Sequence, residues 1–150
     1  MMKERFETFT VLINRISRSI RKIKNQEMAE YKLRSVHVSC IYYIYRLEKC
    51  TATDLCEHCQ EDKATISRAL DYLETNGFIL RESAQKRYTS PISLTEKGTE
   101  AGKKTAEKID KVLVGISECL TDDERREFYR CLGIISKSLE SLSKNCENED

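Results

Sequence analysis

Lys63, Ala64, Thr65, Ser67 and Arg68 fall within six consecutive positions, and their side chains suit the edge of a base pair. An arginine can pair with guanine through two donors, serine and threonine hydroxyls reach bases or phosphates, and an alanine can sit on a thymine methyl. A lysine at a helix start, beside the free N–H groups of the first turn, suits a phosphate. Lys86 and Arg87 supply a second basic point further along. On a loop tip such side chains can enter a narrow minor groove, where the negative potential is enhanced. The bland alternative is a solvated helix face followed by a solubilising loop.

These side chains need a helix–turn–helix with a hairpin behind it, and the flanking sequence supplies the signals. Thr51 and Asp54 stand at capping-box spacing and open a short helix, Ala52–Cys59. Gln60 and Glu61 form the turn. Asp62 caps a second helix, Lys63–Thr75, whose Ile66, Ala69, Leu70 and Leu73 face inward at i, i+3, i+4 and i+7. Asn76 and Gly77 stop that helix. Residues 78–82 and 92–94 read as paired strands around the polar segment 83–90. Pro91, without an N–H, belongs at a strand start.

Helices flank this unit on both sides. Phe6, Phe9, Ile13, Ile16, Ile20 and Ile23 recur at steps of three and four, which predicts a helix over about residues 3–31. Ser35 is expected to cap a helix over 36–48 with Cys40, Ile41, Ile44 and Leu47 inside. Thr95 opens a long helix to about residue 120, with Ala101, Ile109, Val112, Leu113 and Ile116 on its apolar side. The TDDE segment, Thr121 to Glu124, caps a last helix with Phe128, Leu132, Ile135, Leu139 and Leu142 inward. These outer stripes exceed what a lone central unit can cover, and association of identical chains answers that excess most simply. The expectation is one domain over 1–150: dimerisation helices at 1–34 and 96–145 around a winged lobe at 35–95. The fold class is mostly α with a small two- to three-stranded β wing.

Charge constrains the partners. The net charge is +1, so attraction to a polyanion has to be local. Residues 1–34 carry nine Lys/Arg against four Asp/Glu, whereas 51–95 carry five against seven. That second balance predicts a shallow salt dependence of nucleic-acid binding, since each phosphate contact steepens it. No apolar run reaches the roughly 20 residues of a membrane helix, and the first residues lack a signal-peptide core, so the expected location is cytoplasmic. Seven cysteines in such a chain point to reduced thiols. Cys56-x2-Cys59 has no second pair at finger-like spacing and lies on the apolar side of its helix, which favours core over zinc. A thiol-based redox sensor remains an alternative. Two histidines, no Gly-rich phosphate loop and no nucleophile elbow leave no case for an enzyme or a cofactor.

The segments Leu33 to Ile44, Thr51 to Cys59, DKATISR from Asp62, LETNGFIL from Leu73 and LTEKG from Leu94 together resemble the MarR family of bacterial winged helix-turn-helix regulators. The resemblance implies a homodimer, usually a repressor, that binds double-stranded DNA at a pseudo-palindromic site through Lys63, Ala64, Thr65, Ser67, Arg68, Lys86 and Arg87. It further implies release by a small aromatic or phenolic effector, in a cleft placed here at Met28, Tyr31, His37, Ile41 and Ile44. Three features depart from the family pattern, one being Pro91, which makes the wing about a residue longer than usual. Gln85 stands where an aspartate usually braces the wing arginine, and Gln60 replaces a glycine in the turn before the second helix. A winged protein-interaction module without DNA binding is the remaining alternative.

Overall fold

In a computed structural model, residues 2–82 and 89–147 are described, with side chains over 7–82 and 89–144. Helix α1 (Met2–Glu27) is followed by a 3-10 turn at Ala29–Tyr31, then α2 (Ser35–Arg46), α3 (Ala52–Cys59) and α4 (Lys63–Thr75). Strands β1 (Ile79–Leu80) and β2 (Ser93–Leu94) pair antiparallel, Ile79 opposite Leu94 and Leu80 opposite Ser93. Helices α5 (Glu96–Glu118) and α6 (Asp122–Glu147) complete the order. The chain divides into two compact units, Met1–Lys108 and Ile109–Asp150.

The first unit owns the core. Phe78, Met28, Ile41, Leu55, Ile66, Leu70, Leu73 and Ile79 are all under 2% exposed, so α2, α3, α4 and the root of the hairpin close on one apolar cluster. The expected inner face of α4 is the observed one. Met28 explains why the first helix stops at Glu27 and does not run on to residue 31. The chain leaves the helix to bury that side chain, and Lys32 completes the reversal with φ +56°. Thr105 on α5 donates to the Met28 sulfur at 3.5 Å, and Lys104 donates to the Tyr31 hydroxyl at 2.9 Å.

The start of α2 also differs from expectation. Arg34, not Ser35, is the capping residue, because its N–H donates to Nδ1 of His37 at 3.1 Å. Ser35 is already helical and gives its N–H to Asn25 at 2.7 Å. The hairpin is shorter than the sequence suggests, with two residues in each strand. The N–H of Ile92 bonds instead to the Cys50 carbonyl at 2.9 Å, tying the hairpin to the loop before α3. Thr95 does cap α5, accepting from the Gly98 N–H at 3.0 Å. Gly98 is required there, because a Cβ would overlap the Phe78 carbonyl oxygen.

The second unit holds the end of α5 and α6, joined by the expected box in which Thr121 accepts from Glu124 N–H and donates to its carboxylate. Its apolar positions are not inward in a single chain. Leu113, Ile116, Phe128, Leu139 and Leu142 are 42–59% exposed, while Leu132 and Ile135 are half-buried. On α1, Ile13, Ile16 and Ile20 are likewise exposed. No described helix is long and apolar enough to cross a membrane.

Candidate nucleic-acid interface

Two local capping devices aim α4. Thr51 accepts from the Asp54 N–H at 3.2 Å while Asp54 takes the Thr51 N–H at 2.8 Å, so α3 starts on a closed box. Those bonds from Thr51 hold the Asp54 carboxyl below its usual range. At the far end Gln60 turns left-handed at φ +53°, the conformation a glycine would adopt without cost. Its side chain returns to the Glu57 carbonyl at 2.7 Å, which gives this non-glycine a local partner. Asp62 then accepts from the Thr65 N–H at 2.6 Å and caps α4, and that bond lowers its carboxyl pKa.

With one face of α4 sealed in the core, the other presents the predicted set. Lys63, Ala64 and Arg68 are exposed; Thr65 and Ser67 are half-exposed. Arg68 Nη2 donates to Thr65 Oγ1 at 3.3 Å, so two of the candidates are held together one turn apart. All five sit in the first turns of the helix, where a recognition helix meets base edges. Lys86 and Arg87 lie outside the described residues, as does Gln85.

Two residues that fix this helix escaped the sequence reading. Arg81 counts as a wing charge on composition, yet its side chain is only 5% exposed and clamps Asp71, at 2.7 Å, together with Glu74. Part of the acidic excess of residues 51–95 is thereby answered locally. The signal was available: two carboxylates three apart on α4 and a guanidinium just past the strand. Tyr72 is the second. Its ring stacks on His37 at 4.3 Å, and its hydroxyl donates to the Lys32 carbonyl at 2.9 Å. Burial first, and then the nearby Arg34 charge, lower the His37 pKa. The neutral ring is the form that can accept the Arg34 N–H.

The proposed effector residues are placed differently from the interface set. Met28, His37, Ile41 and Ile44 are buried in the core of the first unit, and Tyr31 is half-buried at its edge. In the single chain they are packed side chains. Cys56 and Cys59 pack on the same core, half-buried, while Cys40 and Cys50 are buried within it. Among the described residues no group of three or more His, Cys, Asp or Glu is arranged to hold a metal ion.

Comparison with known proteins agrees with this geometry. Residues 33–85, from the last residues before α2 past the first strand, match the family model described as MarR family. An uncharacterised HTH-type transcriptional regulator of Bacillus subtilis, YwhA, is 34% identical over 95 residues, covering 63% of this chain and 66% of that protein. The chain belongs to the MarR family. A second B. subtilis regulator, YwoH, is 28% identical over 119 residues, covering 78% of this chain and 85% of its own length. Among solved structures, Staphylococcus aureus MepR in complex with DNA superposes with a TM-score of 0.77 at 20% identity, over 87% of this chain and 97% of that one. A structure of MarR itself gives 0.67 at 26% identity, over 90% and 93%. The fold is thus the winged helix of MarR regulators, and family membership makes this chain a transcriptional regulator and not an enzyme.

Proposed function

We propose that this MarR-family regulator is a homodimeric repressor that reads a pseudo-palindromic duplex, with α4 in the major groove. The observation that carries this is the exposure of Lys63, Ala64 and Arg68 at the capped end of a helix whose opposite face is buried. In this reading Arg68 pairs with a base, Thr65 and Ser67 reach a base or a phosphate, and Lys63 meets the backbone. Lys86 and Arg87 supply the minor-groove contact. The DNA-bound state of MepR, a structural neighbour, supports the same use of the fold. Homodimerisation is supported by the exposed apolar residues of α1 and α6. It would set two α4 helices about one DNA turn, roughly 34 Å, apart. A small aromatic effector that displaces the repressor would have to open the packing around Met28 and Ile41 to reach them, with Tyr31 as the accessible edge.

The test is binding to duplexes from the promoter of the protein's own gene, followed by anisotropy. Arg68→Ala is expected to cost about 1–3 kcal/mol on the specific site and to relax preference at one base position. An equal loss on unrelated DNA removes Arg68 from base reading. No binding of the wild type to any promoter duplex would favour a protein-interaction module, the alternative to which the acidic balance of 51–95 points.

A further inference from the structure

The exposed line of α4 carries an acid. Ala64, Arg68, Asp71 and Thr75 recur at steps of four, three and four, opposite the buried Ile66, Leu70 and Leu73, and all four are exposed. Residues three and four apart share one helix face. The side that presents Arg68 therefore presents Asp71 as well, about 4.5 Å further along the axis at the helical rise of about 1.5 Å per residue. A carboxylate on a face turned toward a polyanion is repelled by every phosphate near it. Such a residue lowers affinity unless it meets a donor there.

The fold holds this acid in place and does not turn it away. Arg81, just past β1, spreads its guanidinium across two carboxylates of α4. Its Nε donates to Glu74 Oε2 at 3.2 Å, and its Nη2 donates to Asp71 Oδ1 at 2.7 Å. The two acids differ in access. Glu74 is half-buried, whereas the Asp71 side chain stays 56% exposed with the bond in place. Arg81 itself is nearly covered, so Asp71 and not this cation is the group turned outward. Glu74 thus anchors the guanidinium, and the guanidinium fixes one oxygen of Asp71. A carboxylate has about four acceptor positions over its two oxygens, so it can take a further donor while it keeps the partners it has.

We propose that Asp71 is a specificity-determining residue of the reading face, accepting from the N4 amine of a cytosine next to the base bound by Arg68, with Arg81 as its positioning residue. This role rests on the DNA-reading function proposed above and adds the base that the middle of α4 selects. In the major groove cytosine offers a donor, guanine and thymine turn acceptors outward, and adenine sets an acceptor, N7, beside its amine. A carboxylate gains a bond from cytosine and is repelled by the acceptors of the other three. Repulsion of the wrong partner discriminates as attraction of the right one does. The spacing suits neighbouring base pairs, since about 4.5 Å of helix spans little more than one step of about 3.4 Å. Arg68, a donor, takes guanine; Asp71, an acceptor, takes the adjacent cytosine.

Full-length protein would be used to select sites from a randomised duplex pool, and anisotropy would then give its affinity for every single-base variant of the selected site. Wild type is expected to lose about tenfold when one cytosine, within about two base pairs of the guanine whose preference Arg68→Ala relaxes, is replaced. Asp71→Asn is isosteric and its amide pairs with adenine through N6 and N7, so the preference at that position should move from cytosine toward adenine while the other positions stay as they were. Arg81→Gln should reduce the discrimination at the same position severalfold and leave the guanine preference of Arg68 intact. Arg81→Lys, which keeps a charge beside Asp71, should restore part of it. A clamp that only supports the fold would weaken all duplexes by one common factor in both kinds of variant, and that result overturns the role of Asp71. An unchanged profile in Asp71→Asn overturns it too, and this variant decides the matter if Arg81→Gln fails to fold. A wild type that forms no complex with any duplex in the pool removes the DNA-reading function and this role with it. A wild type that reads the guanine but no neighbouring cytosine removes the role of Asp71 alone.

Discussion

Helices α4 and α6 are both amphipathic, with apolar residues at steps of three and four, yet their apolar faces end up differently. On α4, Ile66, Leu70 and Leu73 are at most 1% exposed. On α6, Phe128, Leu139 and Leu142 remain 42–59% exposed in the single chain. A stripe in the sequence says that a face has to be covered; it does not say by what. The α4 stripe finds its cover among α2, α3 and the hairpin root. The α6 stripe is covered only in part, with Leu132 and Ile135 half-buried, and exposed apolar residues gathered into a patch mark an interaction site.

Three measurements break or sharpen the contrast. Leu73→Ala should have the largest effect, since it empties a wholly buried site: about 2–5 kcal/mol of stability is expected to go, read as a lower urea midpoint. A loss under about 1 kcal/mol would mean that the α4 face is not sealed as described. Leu139→Glu with Leu142→Glu should leave the winged lobe folded and convert a two-chain species into a one-chain species in sedimentation. The loss in association is expected to be of order 2 kcal/mol or more if these side chains anchor the contact. An unchanged two-chain mass would place the dimer interface elsewhere.

The smallest effect concerns pH. Because the folded protein depresses the His37 pKa, the unfolded chain binds the proton more readily. The stability that the neutral ring contributes is complete above about pH 6.5, the ordinary histidine value, and is lost as the pH falls below it. Urea midpoints between pH 7.5 and 5 should therefore decline, and His37→Asn should flatten the decline. A wild-type midpoint that is level over that interval would show that proton uptake there does not distinguish the folded state.

Much of this architecture was legible because the chemistry is local. The boxes at Thr51–Asp54 and Thr121–Glu124 and the Asp62 cap each involve residues three apart, and the structure forms all of them. The inner face of α4 and the exposed set from Lys63 to Arg68 follow from a single helical period. The misses come from contacts that periodicity does not encode. The first helix ends early because Met28 is recruited into a core assembled from distant segments. Ser35 loses the cap to Arg34 because His37, in the first turn of α2, reaches back to the Arg34 N–H. Arg81 crosses a turn to reach Asp71 and Glu74, and only the folded hairpin brings it there. Of the α6 residues expected to point inward, Leu132 and Ile135 are half-buried and Phe128, Leu139 and Leu142 are exposed in the single chain.

One contact ties distant parts of this scheme together. The Tyr72 hydroxyl, one turn beyond Arg68, is moored to the carbonyl of left-handed Lys32. Turning Lys32 back into an ordinary backbone conformation would move that acceptor away and leave Tyr72 held by its stacking on His37 and α4 by its buried face. The segment that follows the first helix thus reaches α4 through a polar contact as well as through the apolar core.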